Sequence, residues 1–214
     1  MVAAKGVATQ ESPTIDVNAP ACKPMRADAI RNRDKLLQVA TQAFTDKGAD
    51  ASLDYIAKQA GVGIGTLYRH FPTREDLVMA VYGRQIEALE QRSHELPKQH
   101  DPAEALHEWM RGFVDYYAVK QGMVTLLRSM MQSSPDAFTD ARATMRSATD
   151  RILQPAIKSG SIRSDVSAEA LLRALGGICL SSGGPGAPTS PPETTLALVD
   201  LVFDGLRYGA KTDG

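Results

Sequence analysis

At 214 residues the chain is long enough for one domain or two small ones, and its 43% apolar and 23% charged content is that of a globular protein. Two cysteines, Cys22 and Cys179, are too few for a disulfide framework and lack metal-type spacing, which favours a reducing, cytoplasmic setting. Met1 to Cys22 has no apolar run of the signal-peptide kind, and no window approaches the roughly 18 to 20 apolar residues of a membrane span. The net charge of −1 conceals an asymmetry. Lys23 to Arg84 carries ten basic and seven acidic side chains, whereas Gln85 onward carries thirteen and sixteen, so the basic part lies near the N-terminus.

Aromatic residues make up only 6% of the chain, helix formers are common, and alternating β-branched runs are nearly absent, so the expected class is all-α. Residues 1–24, with Pro13, Pro20 and no periodicity, read as a disordered tail. A first helix is expected from Arg26 to about Lys47. Its inner stripe is Ile30, Leu37 and Phe44 at seven-residue spacing, filled in by Leu36, Ala40 and Ala43, and Gly48 is placed to end it. Ser52 caps a second helix, with Asp54 in its first turn and Leu53, Ile56, Ala57 and Ala60 on one face. Gly61 stops it after barely two turns. A helix this short is not stable alone and must be held by packing on the first.

A third helix is expected from Gly63 or Ile64 to about Phe71, with Leu67 and Phe71 inward and Pro72 ending it. Thr73 caps a fourth, carried by Leu77, Ala80, Val81 and Leu89 to about His94. Longer helices follow over Pro102 to about Lys120, Met123 to Gln132 and roughly Pro135 to Ser159, the last with a bend at Pro155. Ser167 caps a helix through about Leu180. Ser181 to Pro192 is rich in Gly, Pro and Ser and reads as a loop, and Thr194 to about Ala210 forms the last of about nine helices.

Two short helices about a glycine turn, the second bearing Thr, Tyr, Arg and His, describe a helix-turn-helix, which lays one helix in a DNA major groove. Three segments carry a resemblance to the TetR family of bacterial transcriptional regulators. They are Ser52-Leu-Asp-Tyr-Ile-Ala-Lys-Gln-Ala-Gly-Val62, Gly65-Thr-Leu-Tyr-Arg-His-Phe71 and Thr73-Arg-Glu-Asp-Leu77. The resemblance covers about a quarter of the chain. It implies a helix-turn-helix unit over 25–72 that binds a double-stranded DNA operator. It further implies a helical effector-binding and dimerisation unit over 73–214, whose last two helices pair across a two-fold axis to make a homodimer. Gly63 departs from the pattern, since the family often has a capping Ser there; Gly still serves as an N-cap but removes a hydroxyl.

Within this frame Gly65, lacking a Cβ, lets the backbone approach base edges, at a cost of about 1 kcal/mol of helix propensity relative to Ala. Thr66 offers a hydroxyl and a methyl to a base edge or thymine methyl. Ile64 is a core residue by periodicity and a DNA-facing one by its place in the family motif. Tyr68 and His70 match family positions that hydrogen-bond phosphates, contacts that set register without reading sequence. Arg69 suits a guanine edge or a phosphate. Ser52, Thr73 and Arg74 are further phosphate candidates. The run Gly61-Val-Gly-Ile-Gly65 resembles half a dinucleotide-binding loop, but a helix precedes it where that loop needs a strand.

An effector pocket among helices should be mostly apolar with a few polar anchors. Trp109, Phe113, Tyr116 and Tyr117 fall on one helix, and Leu127, Met130 and Met131, with Met123 and Leu126, fall on the next. Met145, Phe138 and Arg128 complete the candidates. Aromatic and Met residues at helical spacing also describe plain core, and a flexible apolar pocket would suit a hydrophobic or aromatic effector. Leu171, Leu172, Ala174, Leu175 and Ile178, and Leu196, Leu198, Val199, Val202, Phe203 and Leu206, form two wide apolar stripes suited to a four-helix dimer interface. His94, His100 and His107 are not spaced as metal ligands on a helix. No catalytic constellation and no cofactor is expected. The reading is a ligand-responsive dimeric repressor released from a pseudo-palindromic operator. The alternatives are an activator of the same fold, or a small-molecule-binding helical protein or enzyme with a vestigial DNA-binding unit.

Overall fold

The computed structural model describes residues 23–181 and 192–208. Of the tail expected over residues 1–24, residues 1–22 lie outside them, and Lys23 and Pro24 already belong to a helix; most of the loop expected over Ser181 to Pro192 and the chain beyond Tyr208 also lie outside. The described residues form nine α-helices and no strand, which is the all-α class read from the sequence.

Helix α1 (Lys23–Lys47) begins three residues before the expected Arg26. Leu36, Leu37, Ala40, Ala43 and Phe44 are buried as the stripe requires, but Ile30 is 59% exposed. Gly48 ends α1 at φ +58, a conformation that favours glycine, and a single 3₁₀ turn (Gly48–Asp50) leads on. Ser52 caps α2 (Leu53–Gln59), its hydroxyl accepting the Tyr55 N–H at 3.2 Å. Gly61 at φ +68 closes α2, and the Val62 N–H reaches back to the Ala57 carbonyl at 3.0 Å. Helix α3 (Ile64–His70) packs on α2, and both rest on α1.

Helix α4 (Arg74–Glu95) opens with a reciprocal cap: the Thr73 hydroxyl accepts the Asp76 N–H, and the Asp76 carboxylate accepts the Thr73 N–H. Asp101 caps α5 (Pro102–Gly122) by accepting the N–H groups of Ala103 and Glu104. After α6 (Val124–Ser133), the expected single helix from Pro135 divides. Pro135–Phe138 is a 3₁₀ turn and α7 (Thr139–Lys158) starts after it, running through Pro155. Helices α8 (Ala168–Ser181) and α9 (Pro192–Arg207) complete the chain.

Helix α5 is the axis of the molecule, packing against α1, α4, α7, α8 and α9. One continuous apolar core runs from Phe44, Ile56 and Leu67 of the first three helices through Leu77 and Val81 of α4 to Trp109, Ile152 and Leu175. The helix-turn-helix is therefore seated on the larger half through shared core, so a displacement of α5 has close-packed atoms through which to act.

Candidate functional site

Leu67 is wholly buried and Phe71 is 2% exposed, which fixes the rotation of α3. The opposite side then follows from helical geometry. Ile64, Gly65, Tyr68 and Arg69, at i, i+1, i+4 and i+5, all face out, and Tyr68 is 48% exposed. Ile64, for which periodicity and family place gave different answers, is 36% exposed. Thr66 and His70 are half-buried on the flanks, and the His70 ring lies 6.2 Å from Phe71. A Cβ at Gly65 or Gly63 would meet no atom within 4 Å, so neither glycine is demanded by the protein's own packing.

Ser52, exposed beside this face, uses its oxygen as an acceptor in capping α2, which leaves its proton free to donate. Thr73 is arranged otherwise. Its hydroxyl donates to Asp76 Oδ2 at 2.7 Å and its N–H donates to the same oxygen at 3.0 Å, so both of its donors are engaged within the cap. Arg74, expected to meet phosphate, has partners within the chain. Its guanidinium donates to the Ala51 carbonyl at 2.6 Å and the Ala49 carbonyl at 2.7 Å, and lies 5.5 Å from the Phe44 ring centroid. It ties the start of α4 to the segment between α1 and α2. The Lys47 ammonium, 3.4 Å over the Tyr55 ring, ties the end of α1 to α2.

In the larger half, a cavity of about 220 Å³ opens between α4, α5, α7 and α8. Of the twelve candidates from the sequence, Phe113, Tyr116, Tyr117 and Met145 line it. The other eight do not. Trp109 is wholly buried in the core, its indole N–H donating to the Leu89 carbonyl at 3.0 Å. Met123, Leu127 and Phe138 are buried, Leu126 and Met130 are half-buried and Met131 is 38% exposed, and no residue of α6 lines the cavity. Arg128 instead lines a separate shallow groove along α6.

The sequence reading missed Tyr82, Lys120, Arg142, Leu172 and Gly176, which also line the cavity. One signal was available: Lys120 stands three and four residues after Tyr117 and Tyr116, on the same helical face. Its ammonium lies 5.4 Å from the Tyr117 ring centroid and 5.9 Å from that of Tyr116. Burial holds its pKa below the usual lysine value, and the nearby Arg142 charge lowers it further. Burial also raises the hydroxyl pKa of Tyr116, with Tyr82 adding to the effect. The thiol of Cys179, on α8, is pushed up to about 11 by burial and stays protonated.

The tie between α5 and α9 is polar. Asp200 accepts hydrogen bonds from Arg111 at 2.7 and 2.8 Å and lies 2.7 Å from His107 Nε2, while the His107 ring stacks on Phe203 at 4.2 Å. His100 pairs with Glu104 at 3.1 Å. Of the two stripes expected to face a second copy, Leu171, Leu175, Val199, Phe203 and Leu206 are instead buried in the chain's own core, whereas Ala174, Gly177, Leu180, Ala197 and Leu201 of α8 and α9 are exposed, Leu201 by 66%. Among the described residues no helix is long and apolar enough to cross a membrane.

Residues 36–81 match the family described as bacterial regulatory proteins, tetR family, and residues 101–208 match the SbtR-like transcriptional regulator C-terminal domain. The fold is similar to the crystal structure of a TetR transcriptional regulator from Streptomyces coelicolor, with 41% identity and a TM-score of 0.71, covering 83% of this chain and 99% of that one. A TetR regulator from Mycobacterium vanbaalenii is 31% identical with a TM-score of 0.67, over 86% of this chain and 99% of that one. A helix-turn-helix transcriptional regulator from Staphylococcus aureus is 43% identical over 63 residues, 29% of this chain and 34% of that protein. This last likeness spans about a third of the relative's length.

Proposed function

The chain belongs to the TetR family of bacterial transcriptional regulators, and from that premise we propose that it is a ligand-responsive homodimeric repressor. The family's members are transcriptional regulators with a DNA-binding domain and are generally non-enzymatic. In this reading residues 25–72 read the operator, and residues 73–214 bind the effector and hold the dimer together.

The observation that carries the reading is the outward stripe of α3. Leu67 and Phe71 anchor the helix, so Ile64, Gly65, Tyr68 and Arg69 are presented together on a rigid support. Ile64, Gly65 and Thr66 meet base edges, Arg69 a base or phosphate, and Tyr68, His70 and Ser52 phosphates. The exposed small and apolar residues on α8 and α9 suit close packing against the same helices of a second copy. Two recognition helices in a rigid dimer must meet half-sites about one helical turn apart, roughly 34 to 36 Å. An effector that favours a different separation releases the operator by shifting the population of states.

The test is anisotropy binding to DNA upstream of the chain's own gene, at fixed salt with nonspecific competitor. Competitor-resistant binding with two protomers per site is expected. Tyr68→Phe and His70→Ala should weaken binding to every sequence alike; unchanged affinity in both would remove their assigned role.

A further inference from the structure

The cavity between α4, α5, α7 and α8 combines an aromatic wall with positive charge. Phe113, Tyr116 and Tyr117 supply ring faces and edges, with the Phe113 and Tyr116 centroids 5.2 Å apart. Lys120 and Arg142 line the same space, and among the described residues neither is in an ion pair with a carboxylate. A half-buried ammonium whose charged neighbour is a second cation is costly to keep, and cation–π contacts with two tyrosine rings offset part of that cost.

The surroundings add to the charge. A larger groove of about 400 Å³ adjoins the cavity through the shared Arg142 and Leu172, and is lined also by Arg146, Arg173 and Glu169. Glu169 is held by Arg173 on its own helix at 2.9 Å, so it does not neutralise Arg142 or Arg146. The approach to the cavity is therefore cationic, which raises the local concentration of anions and speeds their entry.

We propose that this cavity takes a small aromatic carboxylate, its ring against Phe113, Tyr116, Tyr117 and Met145 and its carboxylate between Lys120 and Arg142. The anion supplies the partner both cations lack, and hydrogen bonds between charged groups of this kind are the strong ones. The cavity, at about 220 Å³, has room for a one-ring ligand. The inference deepens the ligand-responsive reading above and rests on it for the consequence at DNA.

The experiment has a DNA-free arm and an operator arm, both on the full chain. Benzoate, phenylacetate and cinnamate are titrated by calorimetry beside benzamide, phenylacetamide, cinnamamide and benzylamine. At least one carboxylate should bind tenfold or more tightly than its matched amide, and benzylamine should not bind. Lys120→Met and Arg142→Met should each weaken carboxylate binding about tenfold while operator affinity without ligand stays unchanged. Arg142 is exposed, so its variant keeps the test open should the Lys120 change disturb folding. Amides or amine binding as well as the acids, no binding by any acid, or full acid binding in both variants would overturn the proposal. Acid binding that leaves operator affinity unchanged would retain the site and overturn the ligand-responsive reading. Operator release by the neutral compounds alone would do the reverse.

Discussion

Gly122, at the end of α5, meets the Phe44 carbonyl, near the end of α1, with no room for a side chain between them: a Cβ on Gly122 would overlap the Phe44 oxygen and carbonyl carbon. Nearby, a Cβ on Gly48 would come within 3.4 Å of the Gly122 carbonyl oxygen. The two halves of the molecule thus touch backbone to backbone, two residues from the cavity lysine and just before the turn into α2.

Gly122→Ala must push α1 and α5 apart. Overpacking of this kind costs about 1–3 kcal/mol, a melting shift of several degrees, and operator affinity should fall with it. Gly112→Ala is the control. The nearest atoms a Cβ there would meet belong to the guanidinium end of Arg92, a flexible group, and the change gains helix propensity of about 1 kcal/mol. Thermal melts and anisotropy on both variants check the contrast, and equal behaviour would show that the α1–α5 contact is not special.

Gly65→Ala should separate stability from function. The added methyl meets nothing in the protein and improves α3 by up to about 1 kcal/mol, so the melting temperature should hold or rise. Operator affinity should drop, because the methyl occupies the space through which the backbone nears base edges. Retained affinity would take Gly65 off the DNA-facing surface.

Arg74→Met tests tether against phosphate contact. Losing the bonds to Ala51 and Ala49 leaves the carbonyl of Ala51, a buried residue, without its guanidinium partner, at a cost of about 1–3 kcal/mol. The expected result is a lower melting temperature in the absence of DNA. An unchanged melt with a salt dependence of binding reduced by about one phosphate contact would restore the phosphate role.

Asp200 gives the pH dependence. Desolvation acts to raise its pKa, but hydrogen bonds from Arg111 and His107 and their charges outweigh it and hold the carboxyl below 3.8. A depressed carboxylate stabilises the fold above its unfolded pKa, and that contribution is lost as pH falls through the folded value. Asp200→Asn should therefore lower the melting temperature at neutral pH, by at most about 1 kcal/mol for so exposed a pair. The difference between variant and parent should close in acid; a constant gap across the titration would show that the carboxylate charge is not what Arg111 holds.

The helix-turn-helix was legible because its signals are local. Ser52, Gly61 and Thr73 punctuate it through their own caps and turns, and Leu67 with Phe71 fixes the face of α3. Ile30 misled because a seven-residue repeat reports only what a helix offers; this end of α1 leaves it 59% exposed. Arg74 and Thr73 have intramolecular partners that the sequence does not reveal. Charge and hydroxyl chemistry suit phosphate and backbone equally, and only the folded chain shows the Ala49 and Ala51 carbonyls and Asp76 in reach. The cavity was half legible: the aromatic residues of α5 share a sequence stripe, whereas Arg142 and Leu172 join them only through the packing of α7 and α8 on α5.

Trp109 is the single tryptophan of the chain. It is sealed in the core, its indole held by the Leu89 carbonyl, with its ring 6.2 Å from Phe113, which lines the cavity. The tryptophan emission of the protein, excited selectively beyond the tyrosine band, therefore comes from one fixed place, a single ring away from the cavity. Because that indole is shielded from water, small changes in the packing of α4 and α5 will register as shifts in colour or intensity without any added label. The molecule carries its own optical gauge, and the entry of the proposed aromatic acid can be tested in real time in the unmodified protein.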